Sequence, residues 1–304
     1  MAAFTWQPPA VVSAPIVAVN IWPSTETLIA ARESGQLSRG EINFVEMAWS
    51  SSAMRALGNH AVDTAVLSLN EALLLQEFGN PFKVILVVDE SNGADAILGR
   101  PGLTSIADLR GKKVGVEVRS AGHYLLSRAL ETSGLTLGDV QIIPLVLPET
   151  ETAFDELGVD AVVTAEPWLT HLKRRNLPVL FDSSQIPDEI CRVLVARDDT
   201  LNLAAGALKK LVDAHFAWLD RSRWPADLAE GIHRRENLTA EEFSDTFSRI
   251  RQWSKEDQIS LLGGETPDLR RMESAVLGHM KQSGLISSDT SSVELPIDDQ
   301  FVRP

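Results

Sequence analysis

The sequence predicts an α/β protein built as two lobes, and three observations predict it. Short β-branched runs alternate with amphipathic helical stretches from about residue 15 to 196. That alternation is the pattern of a mostly parallel sheet covered by helices on both faces. The strand–helix units fall into two clusters, roughly 15–90 and 110–180. From about residue 200 the chain turns helical, a third segment expected to pack back on the first lobe.

Each element has a local reason. Residues 1–14 read as an irregular lead-in, and 16–22 as a strand stopped by Pro23. Ser24 is placed as an N-cap opening a helix that Gly35 terminates. Residues 42–47 alternate as a second strand, and Ser50-Ser51-Ser52 lead into a helix ending at Gly58. Residues 63–68 form a third strand, and Asn70-Glu71 open a helix closed by Gly79. The run 82–88 is a strongly apolar strand. In the second cluster, strand 114–118 passes through Ser120-Ala121-Gly122-His123 into a helix over 124–133, closed by Gly134. Strand 140–147, a short helix near 151–157 and strand 161–164 follow. Glu166-Pro167-Trp168 then starts a helix, with Pro167 suited to its first position. Residues 178–181 and 193–196 are late strands. Beyond them come one long helix over 201–222 and helices at 225–235, 240–252, 255–262 and 268–283. The polar, acidic last twenty residues read as a tail or a surface strap.

Composition narrows the function. The chain has 304 residues, 44% hydrophobic and 23% charged, enough for a large core or two lobes. No window approaches the 18 or so apolar residues of a membrane span, and no secretory leader is visible at the start. The net charge is −14, with Lys and Arg scattered rather than striped. That disfavours nucleic acid and anionic membrane surfaces as partners, because both need clustered basic residues. The one cysteine, Cys191, excludes an intrachain disulfide and a cysteine metal cluster, and its apolar neighbours place it as a buried thiol.

In open α/β sheets ligands sit beyond the carboxyl ends of the strands. Five such ends stand out: Trp22 to Thr25, Trp49 to Ser52, Ser68 to Glu71, Ser120 to His123, and Glu166 to Trp168. Four carry Ser or Thr near a helix start, where a hydroxyl serves either as an N-cap or as a ligand contact. Together they suit a small polar solute clamped between lobes. Glu71, Asp89, Asp95, Glu117 and Glu166 also fall near strand ends. If several face the cleft they repel a bare anion and favour a solute with N–H donors. Arg119 is the nearest cation to the Ser120 turn. The six histidines are dispersed, without metal-ligand spacing, and no nucleophile elbow, phosphate loop or dinucleotide fingerprint is present. His123 is the one histidine near an expected site. No catalytic residue, metal or cofactor is assigned, and the expectation is a binding protein rather than an enzyme.

The segments 19–37, 63–79, 84–135, 159–172 and 179–187 resemble the ABC-transporter substrate-binding proteins of the nitrate/sulfonate/taurine group. The run Ala-Asp-Leu-Arg-Gly-Lys-Lys-Val-Gly-Val at 107–116, followed by a Ser-x-Gly turn and a helix, carries it most specifically. The resemblance implies a two-lobed periplasmic-binding-protein fold of type 2, with the ligand cleft between lobes. Lobe 1 would comprise 15–94 and 194–304, and lobe 2 would be 95–193, with hinge segments near 91–96 and 192–198. It implies ligand contacts at Trp22, Ser24, Thr25, Ser50, Ser68, Ser120, Ala121, Gly122 and His123, with Asn92, Glu166 and Trp168 closing the pocket. The implied role is an extracytoplasmic receptor that delivers a sulfonate- or nitrate-like solute to a membrane ABC permease. Its alternatives are a receptor for a nitrogen heterocycle such as a thiamine-pyrimidine precursor, a sensory receptor docking on a membrane kinase, or an enzyme on the same fold.

Overall fold

The computed structural model describes residues 14–47, 49–288 and 293–303. All of the expected lead-in except Ala14 therefore lies outside the described residues. The first half of the chain contains β1 (Ile16–Asn20), α1 (Glu26–Glu33), β2 (Asn43–Met47), α2 (Ser50–Gly58), β3 (Thr64–Ser68), α3 (Leu69–Glu77) and β4 (Phe82–Ser91). The middle contains β5 (Asp95–Gly99), β6 (Lys113–Val116), α4 (Ala121–Thr132), β7 (Gln141–Pro144), α5 (Thr150–Glu156), β8 (Ala161–Ala165), α6 (Trp168–Lys173) and β9 (Val179–Asp182). Then follow β10 (Cys191–Arg197), α7 (Asp198–Leu203), α8 (Ala205–Ala217), α9 (Ala226–Glu236), α10 (Ala240–Thr246), β11 (Ile250–Gln252), α11 (Asp257–Leu262) and α12 (Asp268–Ser283).

Two sheets result, ordered β11-β4-β10-β3-β1-β2 and β7-β6-β8-β5-β9. Leaving aside the edge strand β11, both obey one rule: second strand, first, third, an inserted strand, fourth. The inserted strands are β10 and β5, each entering its sheet just after the chain crosses over from the other. Each is antiparallel to both neighbours, while the four strands around it share one direction. The sheets are thus mixed rather than simply parallel, and flanked by helices. We call the parts around the two sheets the first and second halves.

Several expectations are corrected by packing. The strand β5 was not expected; its five residues are all buried but fenced by Asn92-Gly93 and Pro101-Gly102, which mask so short a run. The expected helix over 240–252 stops at Thr246, and β11 pairs with Asp89, Glu90 and Ser91 instead. The expected helix over 201–222 breaks at Ala204 into α7 and α8. Ser24 is not an N-cap. It lies inside a 3-10 turn, Pro23–Thr25, and α1 begins only at Glu26. Pro167 occupies the N-cap position of α6, one place earlier than expected.

The main apolar core runs from the first sheet (Val17, Leu67, Ile85, Leu194) into α4 (Leu125, Leu130), and a second core (Leu98, Phe154, Val162, Leu169) fills the far face of the second sheet. Burying each such side chain contributes about 1.5–3 kcal/mol before entropy is counted. The C-terminal segment lies along β4: the Val84 N–H donates to the Pro296 carbonyl at 2.8 Å, and Leu295 and Phe301 are buried. Cys191 is fully buried against Met272 and the Asp188 carbonyl, and burial pushes its thiol far above the ordinary range.

Candidate functional site

The turns after β1, β3, β6 and β8 converge on one cavity of about 30 Å³. Trp22, Ser68 and Glu71 line it from the first half; Ser120, Ala121, Gly122, Thr164 and Asp95 line it from the second. Arg192, at the start of β10, closes one side. Of the residues expected from sequence, five line this cavity: Trp22, Ser68, Ser120, Ala121 and Gly122.

The others lie elsewhere. Ser24 is fully buried, its hydroxyl beside Asp89 without a hydrogen bond of ordinary length. Thr25 turns its hydroxyl back onto the Asn20 and Trp22 carbonyls, both at 2.9 Å, so it locks its own turn. Asn92 is exposed, its N–H donating to the Arg249 carbonyl. His123 is half-buried and lines a separate pocket with Arg119, Tyr124 and Met280, and burial lowers its basicity. Glu166 is fully buried and accepts two N–H groups of Arg249. Trp168 is buried at the first position of α6. The Ser50 side chain lies outside the described residues. Arg119 is exposed and stacks over Phe78, away from the cavity.

Arg192 is the residue that sequence reasoning missed. It was noted only as the edge of a crossing segment, although a lone charge opening an apolar strand (Cys191-Arg192-Val193-Leu194-Val195) was the available signal. Its guanidinium carbon lies 3.2 Å from the Trp22 ring centroid, a close cation–π contact. One nitrogen is 3.1 Å from Asp95 and the other 3.6 Å from Asp89. The Trp22 indole N–H donates to Asp89 at 2.5 Å. Burial opposes the charge of Arg192, but Asp95 and Asp89 outweigh it. Burial also raises the Asp89 carboxyl, against the pull of Arg192, Ser24 and Trp22. Among the described residues, Arg192 is the cation on the cavity wall: it is ion-paired with Asp95 and Asp89, one of its terminal nitrogens has no hydrogen-bond partner, and Glu71 adds a further carboxylate to the wall.

Three helix N-termini near the cavity, those of α2, α3 and α4, receive the chain's own side chains, whereas the turn Pro23–Thr25 and α1 have no side-chain cap. Ser120 Oγ accepts from the Gly122 and His123 N–H groups and donates to the Glu117 carbonyl, so α4 is capped. Glu71 accepts the Ser68 N–H at 2.9 Å at the start of α3. Glu117 reaches from the second half to the Ser51 N–H of α2 at 3.0 Å, placing the chain's own carboxylate where an anion would bind. A second cross-link joins the halves nearby, from the Asn70 side-chain amide to the Ser120 carbonyl at 3.1 Å.

Residues 28–216, more than half of the chain, match the family model described as NMT1/THI5 like. The chain belongs to the NMT1/THI5-like family. Within the curated relatives, a Brucella abortus (strain 2308) protein whose name says only that it binds is 27% identical over 132 residues, 42% of this chain and 41% of its own. The taurine-binding periplasmic protein of Escherichia coli (strain K12) is 26% identical over 156 residues, 51% of this chain and 47% of its own. The chain thus spans less than half the length of these two relatives. Among solved structures, the alkanesulfonate-binding protein SsuA from Xanthomonas axonopodis pv. citri, bound to MOPS, superposes with a TM-score of 0.73 at 18% identity, covering 90% of this chain and 94% of that one. The periplasmic nitrate-binding protein NrtA from Synechocystis PCC 6803 gives 0.74 at 13% identity, covering 93% and 84%. The fold of this NMT1/THI5-like chain is that of the periplasmic binding proteins.

Proposed function

We propose that this protein is an extracytoplasmic solute receptor, a binder rather than an enzyme, that encloses one small polar solute between its halves and presents it to a membrane permease. The observation that carries the reading is the cavity lined from both sheets, with Trp22, Ser68 and Glu71 facing Ser120, Gly122 and Thr164. A solute touching both walls holds the closed form against the open one. The names of the relatives, binding proteins and a periplasmic taurine binder, support the same role and location.

The wall chemistry supports a refinement. Arg192 is ion-paired with Asp89 and Asp95, the starts of α2, α3 and α4 are held by the chain's own side chains, and Glu71 and Asp95 line the space. Such a wall accepts hydrogen bonds more readily than it donates them. The favoured solute carries an ammonium group or several N–H donors, with any anionic group secondary. At about 30 Å³ the cavity holds little more than a water or two, so an organic solute is admitted with the halves further apart than here.

A thermal-shift screen over nitrate, alkanesulfonates, taurine, amino acids, polyamines and aminopyrimidines tests both parts. A solute at a hundred times its dissociation constant adds about 2.7 kcal/mol of stability. Stabilisation by amine-bearing solutes and not by nitrate is the expected outcome. Stabilisation by anions alone would sink the refinement, and no stabilisation by any class would sink the receptor reading.

A further inference from the structure

The halves meet at a second place, where α6 packs on α9 and α10. Those two helices sit on α1 through Ala30, Ile232, Leu238 and Phe243, so they belong mechanically to the first half. Arg174, just past the end of α6, grips both Glu242 oxygens, at 2.7 and 2.8 Å. Arg249 holds Glu166 and Asp245. These charges are matched, and Lys173 lies in the field of the same groups.

Glu236, the last residue of α9, is not matched. It is 1% exposed, and neither carboxyl oxygen has a hydrogen-bond partner. Glu26 of α1 and Glu166 of the second half face it, and its neighbour Arg235 is committed to Glu26 and to Glu46 of β2, which Arg32 also holds. An ionised carboxylate without a partner is very costly to bury, so this one takes its proton instead. Burial, with Glu26 and Glu166 adding to it and Arg235 opposing it, lifts Glu236 well above the ordinary carboxyl range.

His171 of α6 approaches from the opposite side. Its Nε2 lies 3.0 Å from the Glu236 backbone carbonyl, and its Nδ1 lies 2.9 Å from Glu151. These contacts tie α6 of the second half to the end of α9 and to Glu151. The buried Glu236 therefore sits at a seam between the halves.

We propose that the α6–α9 junction is a proton-operated latch: closing the halves takes up a proton at Glu236, so the closed form gains as the medium acidifies. The proposal rests on the reading of two halves that open and close. Opening parts α6 from α9 and hydrates Glu236, which then binds its proton less tightly. The sign follows from linkage: a group whose proton affinity is higher when closed favours closure at low pH and stops doing so as pH rises through its closed-form value.

Solution X-ray scattering of the full chain without solute, at about pH 5.5 and about pH 8, both above the ordinary carboxyl value, tests it. The wild type expands at the higher pH, each linked proton shifting the closed-to-open ratio by up to about tenfold per pH unit. Glu236→Gln, permanently uncharged, stays compact further up the pH scale than the wild type. Circular dichroism confirms that each variant is folded, with Glu236→Leu as a second uncharged substitute. Equal radii at both pH values in the wild type, or Glu236 variants that track it, would overturn the latch. No solute enters this measurement. A solute that stabilises a chain of pH-independent radius therefore sinks the latch alone, whereas a pH-dependent radius with no stabilising solute sinks the receptor reading alone.

Discussion

Two buried polar clusters join the halves of this protein, and they handle charge in opposite ways. Around Arg192 every charge has a counter-charge within 3.6 Å, and the guanidinium is also stacked on Trp22. Around Glu236 the carboxylates outnumber the cations that reach them, and Arg235 is taken by Glu26 and Glu46. A buried charge needs either a partner or a proton. The first cluster uses partners, although burial still raises its Asp89 carboxyl. The second uses protons and responds to pH. The same fold thus holds one rigid polar joint beside the candidate cavity and one titratable joint at its flank.

The contrast can be broken most severely at Arg192. Arg192→Met leaves Asp89 and Asp95 buried without a counter-charge, and urea unfolding should show a loss of about 3–5 kcal/mol. A loss near zero would mean the pairing is not what holds that joint.

The next largest effect concerns pH. Burial pushes the Glu26 carboxyl up to about 7 against the pull of Arg235. A carboxyl raised on folding stabilises the fold fully below its unfolded value of about 4.5, and that contribution is lost as pH rises through about 7. Wild-type thermal stability should therefore carry a falling component over that window, about 3 kcal/mol at 1.36 kcal/mol per unit. Glu26→Gln should flatten it, and an unchanged pH profile would place the titration elsewhere.

Trp22→Phe sharpens the comparison on a smaller scale. It keeps an aromatic face under Arg192 but deletes the N–H donated to Asp89, and should cost about 1.5–3 kcal/mol in chemical denaturation. If stability holds but solute affinity falls, the indole N–H serves the solute rather than the joint.

The smallest effect belongs to Ser120→Ala. Losing the cap on Gly122 and His123 should cost about 1 kcal/mol and leave the dissociation constant of any solute found in the screen within a factor of two or so. A tenfold loss of affinity, measured calorimetrically, would show that the hydroxyl reaches the solute after all. Gly122 makes a poorer test, because a Cβ there would meet Val163 at 3.2 Å and disturb the second half itself.

The sequence by itself determined the alternation of strands and helices, the two clusters and the turns that carry Trp22, Ser68, Ser120 and Gly122. Those features follow from local periodicity, proline and glycine punctuation, and short-range capping, which a linear reading can follow. It also flagged Asp89, Asp95, Glu71 and Glu117 near strand ends, where acidic residues sat oddly with an anion site. Only the tertiary structure decided which hydroxyls were spent on their own turns, as for Thr25 and Ser120. It also revealed the strands β5 and β11, and it brought Arg192, 97 residues away in sequence, onto Asp95. The physical reason is that hydrogen-bond satisfaction and charge pairing are settled between segments remote in the chain. Glu236 looks like any surface glutamate at a helix end until α1 and α6 close over it and leave its carboxyl without a partner.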